Sequence, residues 1–103
     1  MAKSRLDLQA EFEALLGSRN VYYQPPETKK MDYPCIVYEK SNVHSVYADN
    51  RNYRYTKCYS VKYIHLDVDS KVPDDILLHF EMIQEGPTYI ADNLYHDTFT
   101  LYY

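Results

Sequence analysis

The run Tyr53 to Val68, Y-R-Y-T-K-C-Y-S-V-K-Y-I-H-L-D-V, constrains this chain more than any other stretch. Tyr53, Tyr55, Tyr59, Val61 and Tyr63 share one parity, and Arg54, Thr56, Ser60 and Lys62 share the other. Side chains alternate across a strand, so the pattern predicts a long strand with one apolar-aromatic face and one polar face. From Ile64 the parity flips, and Ile64, Leu66 and Val68 become the apolar positions. A flip has two physical readings: a bulge that rotates the strand, or a strand end covered on both faces. A strand this long belongs near the centre of a sheet.

The flanking sequence supplies its partners. Cys35 to Tyr38 (C-I-V-Y) is a continuous apolar run of the kind a strand covered on both faces shows, and it continues with weaker alternation to Tyr47. Ala48 to Asn52 (A-D-N-R-N) is a turn, because Asp and Asn tolerate left-handed backbone and bond locally. The two runs are expected to form a long antiparallel hairpin over 35–66. A projecting arm with a polar tip commonly binds something.

Ahead of the hairpin, Ser4 or Asp7 can cap a helix over 4–16. Leu8, Phe12, Leu15 and Leu16 fall on one side of it, and Gly17 follows where a left-handed cap is expected. Asn20 to Gln24 reads as a short strand ended by Pro25 and Pro26. Glu27 to Asp32 reads as a mobile charged loop. Beyond the hairpin, Pro73, Asp74 and Asp75 open a second helix over 73–82, with Ile76, Leu77 and Phe80 as its apolar stripe and Met82 and Ile83 near its exit. Gly86-Pro87 breaks the chain. C-terminal strands follow over 88–103, with Asp92-Asn93 as a turn or a bulge. Tyr95, Phe99, Leu101 and Tyr103 form one side of the last strand, and His96, Thr98 and Thr100 the other.

This order predicts an α+β fold over 1–103 as a single domain: a mixed, mostly antiparallel sheet with a long β-hairpin and two helices packed on one side. At 103 residues and 46% hydrophobic, the chain can bury a core without staples. No apolar run spans a bilayer, and no secretory signal leads the sequence, so the expected location is the cytosol in which the chain is made.

Chemistry is sparse in the sequence. Asp67, Asp69, Asp74 and Asp75 lack the glycine hinge and terminal Glu of a calcium loop, and turn and helix-cap duty explains them. His44, His65, His79 and His96 make no paired metal spacing; His65 and His96 sit in strands and could meet in space, with a cysteine joining. Cys35 and Cys58, on separate strands, read as buried free thiols. Arg51, Arg54, Lys57 and Lys62, interleaved with Tyr53, Tyr55, Tyr59 and Tyr63, form the best nucleic-acid candidate, although same-parity segregation favours a buried tyrosine face with a solvated back. The formal charge of −4 also disfavours a sequence-tolerant nucleic-acid binder. An enzyme built on His96, Asp97 or Cys58 has no motif behind it. No catalytic residue, cofactor or metal is assigned. Tyrosine is the compositional outlier, 13 of 103 residues, and its large ring with a polar tip suits surfaces buried in an assembly but wet at the rim.

Four strings point to a family. A-D-N-L-Y-H-D-T-F-T-L-Y-Y at 91–103, V-Y-Y-Q-P-P-E at 21–27, M-D-Y-P-C-I-V-Y at 31–38 and Y-A-D-N at 47–50 resemble segments of small structural proteins of tailed bacteriophages. The resemblance spans nearly the whole chain from Leu15, and it is to the tail-completion, tail-terminator and head-to-tail joining group. It implies a mixed sheet with helices packed on it and no enzymatic role. It also implies a ring, commonly a hexamer, that caps the tail tube and docks the head connector, in the neck of the virion. DNA would only pass through such a ring, and a mildly acidic lining does not hold it. Tyr47, Asp49, Asn50, Arg51, Tyr53 and Arg54 are the expected contact residues for a neighbouring subunit or the tail tube. Head-closure and minor tail proteins are the neighbouring roles within the virion. A small single-stranded nucleic-acid-binding module using the tyrosine sheet is the alternative from another class.

Overall fold

The computed structural model describes residues 4–41 and 57–103. Its elements run α1 (Arg5–Leu16), β1 (Val21–Tyr23), β2 (Cys35–Lys40), β3 (Cys58–His65), α2 (Val72–His79), β4 (Ile83–Ala91) and β5 (Leu94–Tyr102). The five strands form one sheet in the order β1-β2-β3-β5-β4, with β1 parallel to β2 and every other pair antiparallel. The expected α+β class is what the chain adopts. Among the described residues, no helix is long and apolar enough to cross a membrane.

The first helix begins where Ser4 accepts the Asp7 N–H on its Oγ and ends at Gly17, whose φ of 81° is open to a residue without Cβ. Leu8 and Phe12 are buried, and Leu15 and Leu16 pack partly buried beside them. Phe12 sits against Tyr38 (ring centroids 5.1 Å) and Phe80 (5.6 Å), both edge-on. Aromatic pairs favour that geometry, because the positive ring edge meets the negative face.

β3 is central, as its alternation predicts. Tyr59, Val61 and Tyr63 are buried in the core with Ile36 and Tyr38 of β2 and Phe99 and Leu101 of β5. Cross-strand partners share a face, and the pairs Ile36↔Tyr63, Tyr38↔Val61, Val61↔Phe99 and Tyr59↔Leu101 place all of these under the helices. Lys62, of the opposite parity, is exposed. The β3–β5 register runs unbroken from Cys58 to His65, so the parity flip is not a bulge. Tyr63, Ile64 and His65 are all buried, which is the strand end covered on both faces. Leu66 and Val68 lie past the strand and are exposed.

The described part of the expected hairpin pairs Cys35 to Lys40 with Tyr59 to Ile64. Its distal part, with the turn at 48–52, lies outside the described residues. The charged 27–32 loop returns to β1, where the Asp32 N–H donates to Tyr22 Oη (3.2 Å) and Lys29 Nζ lies 5.5 Å from the Tyr22 ring centroid.

Two expectations need correcting. The second helix stops at His79, short of residue 82, because Phe80 is already extended (φ −99°, ψ 145°). Gly86-Pro87 does not break the chain; it is a bulge inside β4, which starts at Ile83. β4 is the sheet edge, where a residue without N–H costs little, and a bulge absorbs the irregularity. A Cβ at position 86 would lie 2.6 Å from Thr98 Oγ1, so the bulge needs glycine for close approach. The Asp92-Asn93 alternative resolves as a turn: both have positive φ (54° and 65°) and Ala91 pairs with Leu94, the two-residue hairpin geometry that matches strand twist.

Phe12 is the hub between the helices and the sheet. Replacing it with alanine should lower stability by about 3–5 kcal/mol, the usual range for a buried phenylalanine, read from the midpoint of urea denaturation.

Candidate functional site

A pocket on the described surface is built from side chains of several elements. It lies at the end of β3, holds about 460 Å³ and is lined by His65, Val68, Tyr89, Ile90, Tyr95 and Asp97, with Thr88 and His96 completing the wall. The sequence places these groups together for a simple reason. His65 is the last residue of β3 and pairs with Tyr95, while Ile90 pairs with Tyr95 on the other side of β5. The β4–β5 hairpin therefore runs on past the end of β3, and the 66–70 turn crosses beside it.

His65 is fixed in this wall. Its ring stacks on Tyr63, two residues back on the same face (centroids 4.4 Å, planes 13° apart), and on its cross-strand partner Tyr95 (5.5 Å, 29°). Its Nε2 lies 2.7 Å from Asp97 Oδ2, a diagonal neighbour across β3 and β5. A carboxylate accepts, so Nε2 carries a proton and the ring is held in that tautomer or as the cation. Nδ1 is buried and has no hydrogen-bond partner. The remaining nitrogen is thus closed to a substrate, and the pair serves to orient the ring rather than to move protons at the surface. The second pocket histidine, His96, stacks on Tyr89 (4.8 Å, 11°), and its Nδ1 lies 3.1 Å from the Leu94 carbonyl oxygen. His65 and His96 do line one pocket, as their strand positions allow, but no cysteine joins them. Among the described residues, no three of His, Cys, Asp and Glu gather as a metal site.

The other candidates separate. His79 Nε2 bridges to Glu11 Oε1 (2.7 Å) and ties α2 to α1. Asp67 Oδ1 accepts the Asp69 N–H (2.9 Å), a local turn, and Asp74 and Asp75 occupy the first turn of α2. Cys35 and Cys58 are both free and buried. In the β2–β3 register Cys35 pairs with Ile64, six positions along β3 from Cys58, so the two thiols lie on the order of 20 Å apart. Burial pushes the Cys35 thiol up to about 11. Cys58 pairs with Tyr102 at the opposite end of β3 from His65, which leaves it remote from the pocket. Tyr59 and Tyr63, two rings of the nucleic-acid candidate, are buried and do not offer a face to a base. Tyr47, Asp49, Asn50, Arg51, Tyr53 and Arg54, the expected contact residues, lie outside the described residues, as does His44.

What the sequence does not announce is the His65–Asp97 pair. The residues are 32 apart, and only the strand register brings them together. A signal was nevertheless present, since Asp97 sits in the apolar parity of β5 between Tyr95 and Phe99. An acid on a core face demands a partner.

No family model, curated protein or solved structure matches this chain.

Two outcomes follow from these environments. Asp97→Ala leaves a buried donor unpaired and should cost about 1–3 kcal/mol, while the double change His65→Phe with Asp97→Val should recover most of that loss, both measured by urea denaturation. Cys35 keeps its proton in the fold up to about 11 and in the unfolded chain only to 9.0. Its contribution to stability is therefore intact below pH 9 and lost as pH rises towards 11. A denaturation series from pH 8 to 11 should show a decline that Cys35→Ala lessens.

Proposed function

We propose that this chain is a structural subunit of a tailed-phage neck, of the tail-terminator or head-to-tail joining kind, which closes into a ring of about six copies and joins the tail tube to the head connector. The resemblance of its 21–27, 31–38, 47–50 and 91–103 strings supports the reading, as does the mixed sheet with both helices on one face. The observation that carries it is the placement of uncovered apolar side chains at separate sites. Val68 (70% exposed) and Ile90 (67%) flank the pocket at the end of β3, while Leu78 (84%) stands on α2. Head-to-tail closure requires two different surfaces on one subunit, and apolar side chains left uncovered in two separate places supply candidates for them. The net charge of −4 suits a channel that DNA must traverse without sticking.

Light scattering of the purified chain across concentration, alone and with tail tube protein, should show a species of about six subunits. The double variant Arg51→Ala, Tyr53→Ala should lose that species while its circular dichroism stays that of the parent. A parent chain that remains monomeric in both mixtures would overturn the reading.

A further inference from the structure

The two edges of the sheet differ in what they offer. β1 is three residues long, and its Val21 is closed by the chain itself: the Val21 N–H donates to the Arg19 carbonyl (2.8 Å), and the Val21 carbonyl accepts from Gln9 Nε2 (3.0 Å). Pro25 and Pro26, just beyond, have no N–H. β4 is nine residues long, and no described element pairs with its outer side.

Which β4 groups face outward follows from its ladder with β5. Antiparallel residues alternate between pairs bonded to each other and pairs turned away. The tight turn at Asp92-Asn93 makes Ala91↔Leu94 a bonded pair, so Tyr89↔His96 is bonded as well. Thr88 and Ile90 therefore direct both N–H and C=O to the free edge. The Gly86-Pro87 bulge confines strand addition here to the hairpin end, Thr88 to Ala91, which carries no charge. Such an edge lacks the lysines that commonly protect one.

The pocket adjoins that stretch, since Thr88, Tyr89 and Ile90 belong to its wall. Its surroundings are acidic. Asp97 is in its wall, Asp67 and Asp69 flank the wall residue Val68, and Asp92 lies two residues from Ile90, while Lys71 is three residues from Val68. An open strand edge beside an aromatic-apolar pocket is the arrangement that takes an extended peptide: backbone bonds hold the strand, and the pocket selects a side chain. The acidic rim asks that the strand be basic.

We propose that the β4 edge at Thr88 to Ala91, with the adjoining pocket, takes an extended strand of alternating aromatic and basic side chains supplied by a second copy of this chain. Within the sequence, 51–56 (R-N-Y-R-Y-T) has that chemistry: Tyr53, Arg54 and Tyr55 alternate aromatic and basic, and Arg51 adds a second cation on the tyrosine side. A tyrosine enters the pocket beside Ile90 and Val68, and the arginines meet the acidic rim. This deepens the neck-ring reading and rests on it, by making the contact between copies heterologous, β4 of one subunit with a different segment of the next.

The test uses a fluorescent peptide of residues 50–56 (N-R-N-Y-R-Y-T), titrated against the whole chain by anisotropy, with a scrambled peptide of the same composition that breaks the alternation. The parent chain should bind the native order saturably and the scrambled order at least tenfold more weakly. Thr88→Pro removes an outward N–H without touching the β4–β5 ladder, and Ile90→Arg places a cation on an exposed position of the rim. Each should weaken binding at least tenfold while circular dichroism remains unchanged. No binding to the parent chain, equal binding of the scrambled peptide, or undiminished binding to both variants would each overturn the proposal. A ring that forms without peptide binding would remove this contact and leave the neck reading standing. Peptide binding by a chain that never forms a ring would do the reverse.

Discussion

The fold depends on tyrosines that are buried by their rings and wetted, or paired, at their tips. Tyr38 is fully buried, with Phe12, Tyr23 and Tyr59 against its ring. Its hydroxyl cannot be left bare in that position, because an unpaired buried hydroxyl costs more than the bond returns. It donates to Gln9 Oε1 (2.6 Å) and accepts from Arg5 Nη1 (3.2 Å). The amide nitrogen of Gln9 in turn donates to the Val21 carbonyl and to Glu13 Oε2. One glutamine thus fixes the helix, the first strand and the central tyrosine relative to one another. At the other margin the Tyr103 hydroxyl donates to Glu11, and Glu11 also holds His79 of α2. On β3, Tyr63 and Ser70 share a hydrogen bond of 2.9 Å, which pins the turn leading into α2. Both helices are therefore placed by tyrosine tips as much as by apolar packing. Burial raises the hydroxyls of Tyr38 and Tyr63 above the ordinary tyrosine value, so both keep their protons.

That dependence explains which parts of the structure were legible in the residues. Period and capping report local chemistry, and both worked where the local answer was also the global one. The α1 stripe with its Gly17 stop, the parity of β3 from Tyr59 to Tyr63 and the antiparallel pairing of 35–40 with 59–64 emerged as read, and of the two cap candidates Ser4 is the one used. The β4 edge did not. Gly86-Pro87 is as good a signal for a chain break as for an edge bulge, because both need a residue without N–H beside one without Cβ. The choice was made by β5, whose residues 99–101 needed a partner on the side away from β3 and found Ile83 to Glu85. α2 stops earlier than its apolar residues suggest, because Phe80 turns extended and carries the chain across to β4 at Ile83.

The pocket was less legible than the fold, and for a related reason. His65 and Asp97 each carried a local oddity, a polar residue on a core parity, but their meeting is set by the offset between β3 and β5. A slip of one residue would send every side chain of the strand to the opposite face. That offset is fixed by the whole set of core pairs, Val61 with Phe99 and Tyr59 with Leu101 among them, rather than by any turn that the sequence displays. Sites of this sort are consequences of packing, and only residues that packing leaves unexplained hint at them.

The inequality of the sheet edges bears on how such a subunit could assemble. A ring made by running one sheet into the next would need β4 of one copy to pair with β1 of its neighbour. Val21 has both outward groups engaged, and prolines follow the strand, so β1 is a poor acceptor for that role. Pairing β4 with a second β4 is open sterically, but two identical edges meet about a two-fold axis, and that contact closes at two copies. A head and a tail present different partners at the two ends of the neck, so a joining ring must be polar along its axis. Heterologous contacts alone give that polarity. If the proposed ring forms, a strand that meets β4 in it would come from a part of the chain other than either edge, and the basic-aromatic sequence at 51–56 is the segment proposed for that place.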